Sequence, residues 1–204
     1  MYRLFNPENP FWMFMEKIMN VFIISFLWLL FSIPVITIGA ATTALFQFTL
    51  KMAADEEGYV CRSFIKGFIG NFRQATAVWL TALSAGVLLV FDLYLSRRLI
   101  VHHIAGNMVF FAIISILIIY LLTCMYLFPI LAFYHTGFCK LMRDGLIMAM
   151  GNLPVSVIIL AIYGIAGAAA YFAPPLFFLF FGAACFASSY FYRWVLCRYI
   201  ERPE

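Results

Sequence analysis

The sequence predicts an all-α membrane protein of six transmembrane helices arranged as three consecutive helical hairpins, with N and C termini cytoplasmic. Three observations lead there. Of 204 residues, 66% are hydrophobic and only 11% charged, against about 45–50% apolar and about 25% charged in soluble domains, and the mean hydropathy is +1.00. Apolar runs near the roughly 20 residues needed to cross a bilayer recur along the chain, separated by short loops. The basic residues then decide the parity. With six spans, Arg3, Lys17, Lys51, Arg62, Lys66, Arg73, Lys140, Arg143, Arg193, Arg198 and Arg202 fall on one side and only Arg97 and Arg98 on the other, which accounts for all 13. Five spans split them nine against four. Lysine and arginine gather in short cytoplasmic loops, so six spans are preferred.

The chain reads as a single membrane domain, 1–204. Residues 1–10 are a polar entry whose Asn-Pro pairs mark turns, because a residue before proline is pushed out of the helical region. The first span, 11–32, opens on the aromatic cluster Phe11, Trp12 and Phe14, which suits the headgroup zone. It lacks a small-residue cleavage site and is expected to remain as an anchor. Ser32-Ile33-Pro34 ends it.

The second span, 35–52, decides the topology and is the least ordinary. It carries Thr37, Gly39, Thr42, Thr43, Gln47 and Thr49, so it is polar for a membrane helix. Small and hydroxylated residues allow close helix packing and interhelical hydrogen bonds; discontinuous spans with glycine or proline also mark transport sites. From sequence, both packing and the lining of a polar cavity stay open for these six residues.

Asp55-Glu56-Glu57-Gly58 follows as a polar loop. Its three acids are expected to cap the next helix at its positive end, or, with Arg62, Lys66 and Arg73, to form a cytoplasmic partner surface. The connector 58–72 is amphipathic: Arg62, Lys66 and Arg73 fall within about 40° of one another on a helical wheel, with Phe64, Phe68 and Phe72 opposite. Such a helix is expected to lie in the cytoplasmic interface. Spans 73–95 and 107–133 form the second hairpin. Asp92, an acid within an apolar run, is a functional candidate by default, although pairing with Arg97 or Arg98 explains it as well. His102-His103 reads as a surface loop. The connector 138–150 repeats the amphipathic pattern with Lys140, Arg143 and Asp144 on one side. Spans 153–172 and 175–197 close the third hairpin around Pro174-Pro175. Gly70-Asn71 and Gly151-Asn152, with Gly86 and Gly167 equally far beyond, hint at an internal repeat.

The five cysteines have no paired or regular spacing, so neither a disulfide framework nor a metal site is expected. His135 and Cys139 share a helical spacing but lack a third group to orient a base. No nucleotide-binding loop, serine-centred elbow or zinc-protease motif is present. The chain is therefore expected not to be an enzyme, to carry no cofactor and to bind no nucleic acid.

Phe5-Asn6-Pro7 with Asn9 and Trp12, then Ile33 to Ala40, Thr43-Ala44-Leu45, Asp55 to Gly58, Phe64 and Asn71 to Ala75, resemble the YesL family, also called DUF624. The resemblance is dense over residues 1–80. It implies a small multi-pass protein of the bacterial cell membrane, encoded beside carbohydrate uptake systems, with no catalytic or binding residues to carry over. The expected role is a non-enzymatic accessory or scaffold associated with carbohydrate uptake. Its expected partners are the lipid bilayer, a carbohydrate ABC transporter permease and a second copy of the chain. The alternative is a small transporter or channel with a path along the threonine-rich span.

Overall fold

A computed structural model describes residues 10–56, 58–99, 104–134 and 136–200. Among them there is no strand. Seven helices follow in order: α1 Pro10–Phe31, α2 Ile38–Met52, α3 Val60–Leu99, α4 Ile104–Phe133, α5 Phe138–Gly151, α6 Leu153–Phe172 and α7 Phe177–Ile200. Six stretches among the described residues are long and apolar enough to cross a membrane, including Val35–Met52 at the second position. α5 is the additional, shorter helix.

The α1–α2 turn is built by Pro34 and Thr37. The Thr37 hydroxyl donates to the carbonyls of Phe31 (2.6 Å) and Pro34 (2.7 Å), across a 3-10 turn at Val35–Thr37. That turn also extends the reach of α2. Fifteen α-helical residues span about 22 Å, and the 3-10 turn adds about 6 Å, bringing the segment close to the ~30 Å hydrocarbon core.

α2 is the buried axis of the molecule. Every residue from Gly39 to Leu50 except Gln47 is buried, with α1, α3, α4 and α7 packed around it. Its small side chains permit this. A Cβ on Gly39 would lie 2.5 Å from Trp79 Cβ and 2.7 Å from the Ala75 carbonyl oxygen, so α3 approaches the α2 backbone as closely as a glycine allows.

α3 differs from the sequence expectation. The connector 58–72 and the span 73–95 are one unbroken helix of 40 residues, about 60 Å long; Gly67 and Gly70 weaken a helix without ending it. The connector's aromatic face does not lie free in an interface. Phe64 is fully buried, and Phe31 at the end of α1 meets the rings of Phe64 (5.4 Å) and Phe68 (4.9 Å). The basic face is as read, with Arg62, Lys66 and Arg73 exposed. The far halves of α3 and α4 expose Val87, Leu88, Phe91, Met108, Phe111 and Ile118, and the Tyr120 hydroxyl ties the two helices to each other at the Ala82 carbonyl.

α4 contains Pro129. A proline has no N–H, so the carbonyl four residues earlier loses its helical donor. That carbonyl belongs to Met125, and the Tyr192 hydroxyl of α7 donates to it at 2.9 Å. Within a bilayer a backbone acceptor has to find such a partner inside the protein.

α5 also departs from a simple amphipathic connector. It packs along α4, with Gly145 seated against Leu127 and Thr123. Lys140 and Arg143 are exposed, and Asp144 lies beside Arg143 at 3.6 Å as expected, but it is buried and accepts a hydrogen bond from the Tyr134 hydroxyl at 3.1 Å. The repeat pattern is matched in one detail: Asn71 and Asn152 each donate to the carbonyl four residues earlier. The two glycines differ, since Gly86 lies against Tyr120 while Gly167 faces open space.

Candidate functional site

The polar residues of α2 form the first candidate site, and each of its threonine hydroxyls can be traced to its partner. The Trp28 indole N–H of α1 donates to the Thr42 hydroxyl at 3.1 Å, while the same ring stacks on Phe181 of α7 at 4.3 Å. Thr43 donates to the Gly39 carbonyl at 2.9 Å. Thr49 donates to the Phe46 carbonyl at 3.3 Å and accepts from Ser189 of α7 at 2.8 Å. These hydroxyls are thus spent within α2 or on its neighbours, binding α1 and α7 to the central helix.

Gln47 is the exception. It is half-buried, and its Oε1 has no hydrogen-bond partner. It lies where a side chain on Gly67 would be. Asn71, on the next turn of α3, donates to the Gly67 carbonyl and keeps its own Oδ1 buried without a partner. Two orphaned acceptors therefore converge on the Gly67 turn.

The other sequence candidates do not join this cluster. Asp92 is on an exposed side of α3, in the far half of the helix among the exposed Val87, Leu88 and Phe91. The side chains of Arg97 and Arg98, as well as His102, His103, His135 and Glu57, lie outside the described residues. Of the acidic run expected to cap α3, Glu57 lies outside the described residues, and Asp55 forms an ion pair with Lys17 of α1 at 2.5 Å. It adopts φ 57°, a left-handed conformation that Asp and Asn tolerate better than most residues. The hydrogen bond from Lys17, reinforced by its charge, holds the Asp55 carboxyl below its ordinary value. Glu56 is exposed.

Beside this pair, Arg193 of α7 donates to the Ala53 carbonyl at 2.9 Å. The start of α1, the end of α2 and the last third of α7 are thereby tied together at one end of the bundle. On the α5 side, burial first and then the neighbouring Asp144 charge push the Tyr134 phenol upward. Among the described residues, no three His, Cys, Asp or Glu side chains cluster as a metal site.

Sequence reasoning missed the polar contacts between helices distant in the chain. Tyr126 and Ser156 share a hydrogen bond at 2.9 Å. Tyr163 reaches Ser188 at 3.3 Å and Cys185 at 3.5 Å. The available signal was Ser188-Ser189 within an otherwise apolar span, since such hydroxyls are common at helix contacts.

The threonine helix and the two helices around it are also where a family likeness appears. Residues 21–93 match the family model described as "Protein of unknown function, DUF624". The DUF624 match runs from the middle of α1 through α2 and most of α3, and so covers the buried axis, the Gly39–Trp79 contact and the Gly67 turn. No curated protein and no solved structure matches the chain.

Proposed function

We propose that this chain is a non-enzymatic accessory or scaffold membrane protein associated with bacterial carbohydrate uptake, a member of the YesL family, DUF624. It resides in the cell membrane with both ends cytoplasmic. The observation that supports a scaffold over a conduit is the burial of α2. Its threonines hydrogen-bond to their own helix or to Trp28 and Ser189, which makes the helix an axis for its neighbours. The carbohydrate association rests on the resemblance alone. The exposed Arg62, Lys66 and Arg73 on α3 offer a permease a basic contact line on the same helix that packs against α2.

Affinity purification from native membranes tests this reading. A co-purifying carbohydrate permease, lost when Arg62, Lys66 and Arg73 are together replaced by glutamine, is the expected result. Transport of a labelled oligosaccharide by the purified chain alone in liposomes would overturn it. The second reading, a small transporter, is favoured by the unpartnered Gln47 Oε1 and Asn71 Oδ1, which suit a ligand bearing hydrogen-bond donors. It predicts loss of uptake on Gln47→Leu without loss of fold.

A further inference from the structure

α1 and α7 touch where Gly182 lies against Ser25, a contact so close that any side chain at Gly182 would overlap the serine. Along the same pair of helices runs an apolar groove of ≈ 690 Å³, walled by Phe14, Ile18 and Val21 of α1 and by Leu179, Ala183 and Phe186 of α7. Lys17 and Tyr190 also border it. A second hollow of ≈ 620 Å³ shares Tyr190 and is lined by Arg193, Trp194 and Arg198. The two are successive parts of one stripe on α7. Leu179, Ala183, Phe186, Tyr190, Arg193 and Cys197 recur at helical spacing over 18 residues, about 27 Å.

The stripe changes character along its length. It is aliphatic and aromatic at first, then has an amphipathic tyrosine, then two guanidinium groups beside an exposed tryptophan. Arg198 lies 5.6 Å from the centre of the Trp194 ring. Arg193 uses Nη1 on the Ala53 carbonyl, and a guanidinium has five N–H donors. Among the described residues, the acids at this end are Asp55, which is paired with Lys17, and the exposed Glu16 and Glu56. Against them stand Lys17, Lys51, Arg193 and Arg198, so positive charge is in excess among these residues.

We infer that the joined hollows are a binding site for one anionic phospholipid, with its phosphate at Arg193 and Arg198 and an acyl chain in the groove between α1 and α7. The charge order identifies the occupant. An apolar groove alone accepts any lipid tail, and a basic hollow alone accepts any anion. The two sharing Tyr190 as a common wall match a molecule with both parts. Basic pockets between membrane helices bind anionic headgroups in this way, and Trp and Tyr favour the headgroup level. This inference does not depend on the accessory reading.

The test is native mass spectrometry of the intact chain released from vesicles of equal phosphatidylglycerol and phosphatidylcholine content. The wild type is expected to retain phosphatidylglycerol preferentially. Arg198→Gln, at an exposed position, is expected to reduce that preference by about five-fold. Ala183→Trp, which fills the groove from another exposed position, is expected to reduce retention of both lipids alike. Unchanged thermal midpoints of the two variants in detergent would exclude misfolding as the cause. Equal retention of the two lipids by the wild type would overturn the inference, as would an undiminished preference in Arg198→Gln. So would stabilisation by millimolar inorganic phosphate as large as that given by phosphatidylglycerol.

Discussion

Replacing Tyr192 by phenylalanine removes one oxygen atom and leaves the ring that packs edge-on against Phe46 and Tyr126. No cavity larger than that oxygen arises, so the loss reports the bond from the hydroxyl to the Met125 carbonyl. The carbonyl has no helical alternative, because residue 129 is proline. A buried acceptor stranded in this way costs about 1–3 kcal/mol. At about 2–4 °C per kcal/mol for a chain of this size, the middle of that range lowers the thermal midpoint by about 4–8 °C. The decisive comparison uses Pro129→Ala, whose new N–H can reach the same carbonyl. In that background Tyr192→Phe is expected to cost less than half as much. Fluorescence-detected thermal unfolding in detergent reads both values. A Tyr192→Phe midpoint indistinguishable from wild type, or an equal drop in both backgrounds, would refute the explanation.

Three further outcomes are expected. Gly39→Ala forces α2 and α3 apart by about 1 Å at Trp79, an overpacking cost of about 1–3 kcal/mol that the better helix propensity of alanine offsets by at most about 1 kcal/mol. Gly164→Ala, with open space around it, should show no loss in the same melting assay. Asp55→Asn keeps the left-handed backbone and loses the ion pair with Lys17, and Asp55→Ala should melt lower because it also strains the turn. Since the Asp55 carboxyl is held below its usual value of 3.8, its contribution is present above that pH and is lost as pH falls below it. The midpoint difference between wild type and Asp55→Asn should therefore persist down to that range; a difference already gone well above it would contradict the ion pair's role. For topology, single cysteines at Phe5→Cys and Glu56→Cys should react with an impermeant reagent from one side of the membrane and His102→Cys from the other. Labelling of residues 5 and 56 from opposite sides would exclude six spans.

The fold class was legible because the bilayer reduces the problem to runs of apolar residues with few charges, and even the short, polar 35–52 segment showed its helical small-residue pattern. What the sequence could not supply was depth and partner. Phe64 and Phe68 read as an interfacial face because an aromatic stripe looks the same whether lipid or Phe31 covers it. Asp144 read as one member of the polar side it shares with Lys140 and Arg143, yet its burial against Tyr134 comes from α5 folding back on α4. The carbonyl of Met125 carries no signal in its own residue type. Only Pro129, four residues on, announces that a donor is missing, and nothing local says that Tyr192 supplies it. The candidate site was half legible: the threonines were found, but Arg193, Arg198 and the groove beside them depend on α1 meeting α7, more than a hundred residues apart.

α3 has one more consequence as a mechanical part. It is a rod without a proline between Val60 and Leu99, clamped near its middle where Trp79 hydrogen-bonds to the Val35 carbonyl at 2.9 Å and Gly39 lets the two backbones nearly touch. From that clamp to Leu99 is a lever arm of about 30 Å. A tilt of about 10° at the clamp sweeps the far tip through about 5 Å on such an arm, while Phe64, buried against Phe31, holds the other half of the rod in place.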